Sequence, residues 1–236
     1  MNIIITGASA GLGRGLATWF AERGHTVGWV GRDRPNLIGA IRQLDVDEEQ
    51  RARMHFAVID LSDPVQTESG LIELADRMGG VDVLVNNAAM VDTRPLPEFT
   101  PSEIDELART NLGGTAIAIR VLLDALRDSK RGHVVNISSI NGNLDPLRRA
   151  SLYNASKFAL KGFGYALAEE LRAFGLRVTT LSPGAIDSRS KRHTSDRDHS
   201  WKLPVSAVAE AIEYVVNVPD SVDVTELELK PTQSPR

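Results

Sequence analysis

Short runs of apolar, mostly β-branched residues recur along the chain. Between them lie longer stretches whose apolar positions repeat at helical spacing. The runs at 2–6, 26–30, 54–59, 81–86, 132–138, 176–181 and 224–229 predict seven strands. Most are continuously apolar rather than alternating, the pattern of strands buried on both faces. Helices are predicted over 12–23, 36–44, 64–78, 101–129, 152–174 and 205–216. Two of them begin on a capping residue followed by proline, Asp63-Pro64 and Thr100-Pro101. The alternation of strand and helix predicts an α/β fold: a doubly wound, seven-stranded parallel sheet with helices on both faces. No repeat or low-complexity tract interrupts the pattern, so residues 1–236 read as a single domain. The one break is 188–202, polar and charged, which predicts a mobile loop, and 231–236 predicts a loose tail.

Composition narrows the classes. A length of 236 residues suits one α/β domain. With 42% hydrophobic and 25% charged residues, disordered and fibrous classes are excluded. The absence of Cys excludes a disulfide framework, a thiolate zinc site and a cysteine nucleophile. No metal is expected. The formal net charge of −4 argues against a nucleic-acid partner. No apolar run approaches the roughly 18 residues of a membrane span. The apolar stretch Ile3–Ile5 follows Met1 and Asn2 without a basic leader, so a cytoplasmic protein is expected.

The candidate chemistry begins at the first strand. It runs into Gly7-Ala8-Ser9-Ala10-Gly11-Leu12-Gly13 and then a helix. Glycines in such a turn permit positive φ and let backbone N–H groups approach a pyrophosphate at the helix N-terminus. The second strand ends in Gly31-Arg32. About 20 residues past the glycine loop, dinucleotide folds carry an acidic residue for the ribose, or an Arg nearby for a 2′-phosphate. Arg32 therefore predicts NADP(H) through a charge-assisted contact, and leaves NAD(H) usable.

Further on, Tyr153-Asn154-Ala155-Ser156-Lys157 sets Tyr153 and Lys157 one turn apart on one helix face. A phenol of pKa about 10 is a weak acid–base group at neutral pH. A neighbouring ammonium favours its phenolate. Asn111, followed by Gly113 and Gly114, lies where helix propensity is poor, which predicts a local kink.

Taken in order, these motifs resemble the short-chain dehydrogenase/reductase family. The matches are Thr6-Gly7-x-x-x-Gly11-x-Gly13, Asn86-Asn87-Ala88-Ala89, Ser139 ahead of Tyr153-x-x-x-Lys157, and Pro183-Gly184-x-x-x-Ser188. The C-terminal segment 205–232 resembles the family's 3-hydroxy acid dehydrogenase branch. The chain departs from the pattern with Ala89 for Gly, Ser188 for Thr, and Ala10 where many NADP-using relatives carry a basic residue.

The resemblance implies a Rossmann-like sheet of order 3-2-1-4-5-6-7, with the site at the carboxyl ends of the strands. It implies cofactor contacts from Gly7, Ser9, Ala10, Gly11, Leu12 and Gly13, from Arg32, and from Asp60 and Leu61 at the adenine. Asn87, Ala88, Tyr153, Lys157, Pro183, Gly184, Ile186 and Ser188 complete that set. It implies a catalytic tetrad in which Tyr153 transfers the proton, Ser139 polarises the substrate oxygen, Lys157 tunes Tyr153, and Asn111 holds a relay water. Ser138 is the other serine candidate.

The implied activity is NADP(H)-dependent interconversion of a secondary alcohol and a ketone or aldehyde by hydride transfer. A cofactor-sensing regulator or scaffold on the same fold is the alternative, and it would need no tetrad. A homodimer or homotetramer is implied through helices 101–129 and 152–174, with Ile117, Val121, Phe158 and Phe163 on apolar stripes that face either a partner or the sheet. Arg148 and Arg149, together with Arg189, Lys191, Arg192, Arg197 and Lys202, are either the charges of two solvated loops or the walls of a site for an anionic small-molecule substrate.

Overall fold

The structure is a computed structural model, and it describes residues 1–143, 150–188 and 199–233. The chain runs β1 (Asn2–Thr6), α1 (Gly11–Glu22), β2 (Thr26–Gly31), α2 (Arg34–Arg42), α3 (Glu48–Ala52) and β3 (Met54–Val58). It continues through α4 (Pro64–Met78), β4 (Val83–Asn86), α5 (Pro101–Ala108), a π-helical turn (Arg109–Gly113), α6 (Gly114–Asp128) and β5 (His133–Ile137). The last part holds α7 (Ser151–Arg172), β6 (Arg177–Pro183), β7 (Ile186–Asp187), β8 (Leu203–Pro204), α8 (Val205–Asn217) and β9 (Glu226–Leu229).

Seven strands form one parallel sheet in the order β3-β2-β1-β4-β5-β6-β9, which is the expected topology. Successive side chains of a strand point to opposite faces, and both faces are covered. Ile3 and Ile5 of β1 and Trp29 of β2 pack with Leu16 and Phe20 of α1, Leu37 of α2 and Ile212 of α8. Ile4 of β1, Leu84 of β4 and Val178 of β6 pack on the other side with Leu74 of α4, Leu122 of α6 and Leu171 of α7. Each such side chain is worth roughly 1.5–3 kcal/mol on full burial. Between β4 and β5, Asn86 Nδ2 donates to Asn136 Oδ1 at 3.0 Å and ties the two strands at the centre of the sheet.

The kink expected at Asn111 is the π turn, which divides the 101–129 helix next to Gly114, where a Cβ would lie 2.6 Å from the Leu61 carbonyl oxygen. The structure departs from the sequence reading in two places. The helix α3 was not expected; it is short and buries no residue, although Asp47 and Gln50 form a capping box. The ribbon of β7 and β8 pairs Ile186 with Leu203 and Asp187 with Pro204, too short to leave a periodic signal. It holds the ends of the expected 188–202 loop side by side; residues 189–198 and 234–236 lie outside the described residues. Of the apolar stripe residues, Val121 and Phe163 pack against the core, whereas Phe158 is exposed.

Candidate active site

β1 delivers Thr6 to the carboxyl edge of the sheet. Its hydroxyl accepts the backbone N–H of Asn87 at 2.9 Å and of Ala88 at 3.0 Å. Asn87 Nδ2 donates back to the Thr6 carbonyl at 2.9 Å. The glycine turn and the exit of β4 are therefore one hydrogen-bonded unit. At Gly7 (φ +70°), a Cβ would meet Ala88 Cα at 2.8 Å. At Gly13 it would lie 2.3 Å from the Gly7 carbonyl oxygen and 2.4 Å from Asn87 Nδ2. α1 begins behind Ala10 with no side-chain cap, which leaves the first-turn N–H groups without a capping partner. A close-packed glycine turn ending in an uncapped helix N-terminus fits a dinucleotide pyrophosphate.

A cleft of about 1360 Å³ runs along the carboxyl ends of the strands. Gly7 and the 9–13 segment line it after β1, Arg32 after β2, Asp60 and Leu61 after β3, and Asn87 and Ala88 after β4. Ser138 and Ser139 enter after β5, Tyr153 and Lys157 from α7, and Pro183, Gly184, Ile186 and Ser188 after β6. Asn111 is set behind this wall, 1% exposed, with its neighbour Thr110 at the surface of the cleft. Arg148 and Arg149 lie outside the described residues. Arg14, Asn36 and Met90 also line the cleft and were missed. Arg14 had a signal, its place directly after Gly13; the other two carried none.

The two serines after β5 have different surroundings. Ser138 Oγ donates to the Lys157 carbonyl at 3.0 Å and is committed to packing. Ser139 accepts the Asn141 N–H at 3.1 Å as the cap of a short 3₁₀ turn over Ile140–Gly142. That turn lies flat on α7, since a Cβ at Gly142 would be 2.9 Å from the Lys157 carbonyl oxygen. Lys157 is 3% exposed, and its Nζ donates to the Ile137 carbonyl at 2.8 Å. Burial pushes its pKa down to about 8. Asn111 commits both Nδ2 protons and one Oδ1 lone pair: Oδ1 accepts from Met90 N at 2.7 Å, and Nδ2 donates to Met90 O at 3.0 Å and to Ser156 Oγ at 2.9 Å. Ser156 Oγ in turn donates to the Tyr153 carbonyl at 2.7 Å, so Asn111 braces the turn of α7 that carries Tyr153.

At the far end of the cleft, Arg32 Nη1 lies 3.3 Å from Glu106 Oε1 and 3.7 Å from Asp60 Oδ2. Burial pushes the Asp60 carboxyl up, but hydrogen bonds from Ser62 and the charge of Arg32 outweigh it and hold the pKa below the ordinary value. A Cβ at Gly31 would lie 3.2 Å from Ser9 Cβ and Oγ, so glycine there lets β2 meet the glycine turn closely. Among the described residues there is no cluster of His, Asp and Glu able to hold a metal, and no helix is long and apolar enough to cross a membrane.

Comparison with known proteins agrees with this architecture. Residues 1–199 match the family model for short chain dehydrogenase. An uncharacterized oxidoreductase of Staphylococcus saprophyticus is 28% identical over 228 residues, 97% of this chain and 96% of its own length. The alcohol dehydrogenase of the archaeon Thermococcus sibiricus, solved with 5-hydroxy-NADP, superposes with a TM-score of 0.86 at 26% identity, covering 100% of this chain and 98% of that one. Serine dehydrogenase of Escherichia coli gives 0.81 at 26% identity, covering 97% and 96%. The family model covers most of the chain, and relatives and solved structures match it over nearly its full length: this protein is an oxidoreductase that belongs to the short-chain dehydrogenase family.

Proposed function

We propose that the protein interconverts a secondary alcohol and a ketone or aldehyde with NADP(H) as its cofactor. The observation that carries this reading is Lys157, a buried cation set beside Tyr153 in the same cleft as the glycine turn. When bound, the nicotinamide ring supplies or accepts the hydride. The chain's residues do the rest. The first-turn N–H groups of α1 and the glycines hold the pyrophosphate, and Arg32 meets the 2′-phosphate. The Ser139 hydroxyl donates to the substrate oxygen, where negative charge develops. Tyr153 gives its phenolic proton to that oxygen in reduction and takes it back in oxidation. Lys157 favours the phenolate through its charge. Asn111 acts through the Met90 and Ser156 contacts, keeping the Tyr153 turn in place and offering its remaining Oδ1 lone pair to a water.

The alcohol dehydrogenase of T. sibiricus and the serine dehydrogenase of E. coli, by their names, act on hydroxyl-bearing substrates and support that class here. Exposed Phe158 on α7 supports assembly into a homodimer or homotetramer, which light scattering at micromolar concentration tests directly. The functional test is NADPH oxidation over a panel of ketones, diketones and aldehydes with the wild type and Tyr153→Phe. Turnover in the wild type that falls by about two to four orders of magnitude in the variant, with NADPH binding kept, is the expected result. NADPH binding without turnover on any carbonyl would favour a cofactor-sensing protein instead.

A further inference from the structure

Arg32 is already engaged. Its Nη1 is shared between Glu106 Oε1 at 3.3 Å and Asp60 Oδ2 at 3.7 Å. The two carboxylates are held differently. Asp60 Oδ1 accepts the backbone N–H and the hydroxyl of Ser62, at 2.9 and 2.8 Å, which fixes it at the exit of β3. Glu106 comes from α5, an element without a strand in the sheet, and its side chain is 42% exposed. We propose that Glu106 is a specificity-determining residue of the adenosine end of the cleft: it holds Arg32 and penalises ligands that carry a 2′-phosphate. The protein then prefers NADP(H) over NAD(H) less strongly than Arg32 alone would dictate. This inference rests on the reading that the cleft takes a nicotinamide dinucleotide.

The argument is one of charge. Arg32 against Asp60 and Glu106 leaves one surplus negative charge before any ligand arrives. The exposed Arg32–Glu106 pair is weak in itself, since water screens it, so the guanidinium can turn toward a phosphate at small cost. What the pair then leaves behind is a carboxylate a few ångströms from an incoming dianion, and like charges at that distance repel. A ligand with a free 2′-hydroxyl brings no charge and leaves the pair intact. Asp60 is pinned, so Glu106 sets the balance. Preference is reduced rather than reversed, because Arg14 supplies a second guanidinium to the cleft and, among the described residues, its side chain bonds to the neutral Gln43, with Nη2 to Oε1 at 2.5 Å.

The test uses 2′,5′-ADP and 5′-AMP, which differ by the 2′-phosphate alone, titrated calorimetrically into the full chain. In Glu106→Gln, 2′,5′-ADP should bind about three- to tenfold tighter than in the wild type, while 5′-AMP stays within about twofold. The gain should shrink at high salt. Unchanged affinity for 2′,5′-ADP, or an equal gain for both ligands, overturns the proposal. Turnover plays no part in the measurement. A protein inactive on every carbonyl that still shows the selective gain would keep this inference and refute the reductase reading.

Discussion

The Lys157 Nζ lies 5.8 Å from the centroid of the Tyr153 ring, and the group that holds it is the backbone carbonyl of Ile137, 2.8 Å away. Among the described residues it forms no ion pair with a carboxylate. A buried ammonium held by a carbonyl keeps its charge uncancelled, which is what a neighbouring phenol needs to ionise more readily. The same arrangement costs stability. In the proposed mechanism, catalytic use and folding therefore pull on Lys157 in opposite directions.

That opposition is measurable in Lys157→Met. The folded pKa of about 8 lies below the unfolded value of 10.5, so the unfolded chain holds the proton more firmly. The cost is present in full below about pH 8 and disappears as pH rises through 10.5. At pH 7 the variant should be as stable as the wild type or more so, by up to about 3 kcal/mol, at roughly 1.4 kcal/mol per pKa unit. Turnover should be lost. Urea denaturation at pH 7 and pH 10 checks both halves, and a variant less stable than the wild type at pH 7 contradicts the account.

The two adjacent serines should separate cleanly. Ser138→Ala removes a buried donor to the Lys157 carbonyl and should cost about 1–3 kcal/mol of stability, with kcat changed less than about tenfold. Ser139→Ala loses only the cap of a short 3₁₀ turn, so it should cost about 1 kcal/mol or less and lower kcat by about 10²–10³. The reverse pattern in melting temperature and kcat would move the substrate contact to Ser138.

Cofactor choice should depend on Arg32. Arg32→Ala is expected to weaken NADPH by about tenfold or more through loss of a charge-assisted contact, while NADH changes little. Fluorescence titration with both cofactors reads this directly, and equal losses for the two would remove Arg32 from the 2′-phosphate site.

Acid should destabilise the protein through His133, which lies in β5 with no exposed surface. Thr179 Oγ donates to the Val224 carbonyl at 2.6 Å, so the hydroxyl can only accept from His133 Nε2, 2.8 Å away. Nε2 therefore carries a proton, and among the described residues the buried Nδ1 has no partner. Burial, then the charge of Arg177, pushes the pKa down to about 3 from 6.5. A depressed folded pKa means stability is present above pH 6.5 and lost as pH falls toward 3. The slope from this group is at most about 1.4 kcal/mol per pH unit. His133→Asn should flatten the wild-type loss between pH 6.5 and 4, measured by urea midpoints, and an unchanged slope would clear His133 of the effect.

Much of this architecture was legible in the chain alone. The apolar runs predicted each strand of the main sheet, and the caps Asp63 and Thr100, each followed by proline, placed the starts of α4 and α5 to the residue. Asn111 with its two glycines announced the break that became the π turn. β7 and β8 were not legible because two paired residues leave no period to detect, and their pairing joins segments 17 positions apart.

By itself the sequence determined what depends on near neighbours: hydrophobic period, turn chemistry, and the glycine positions where a left-handed φ or a missing Cβ is required. Strand order was implied only through the family resemblance, and the observed sheet agrees with it. Only the tertiary structure decided which groups stand free in the cleft and which are spent on packing. Ser138 and Ser139 are adjacent and chemically identical, yet α7 consumes one and leaves the other at the cleft. Arg32 reads as a free cation until Asp60 and Glu106 close around it from β3 and α5. Asn111 shows no partner in the sequence, yet Met90 and Ser156 take its Nδ2 protons and one Oδ1 lone pair. In each case the deciding partner is remote in sequence. Hydrogen bonds and charges act over a few ångströms of space, and no local pattern records who will arrive there.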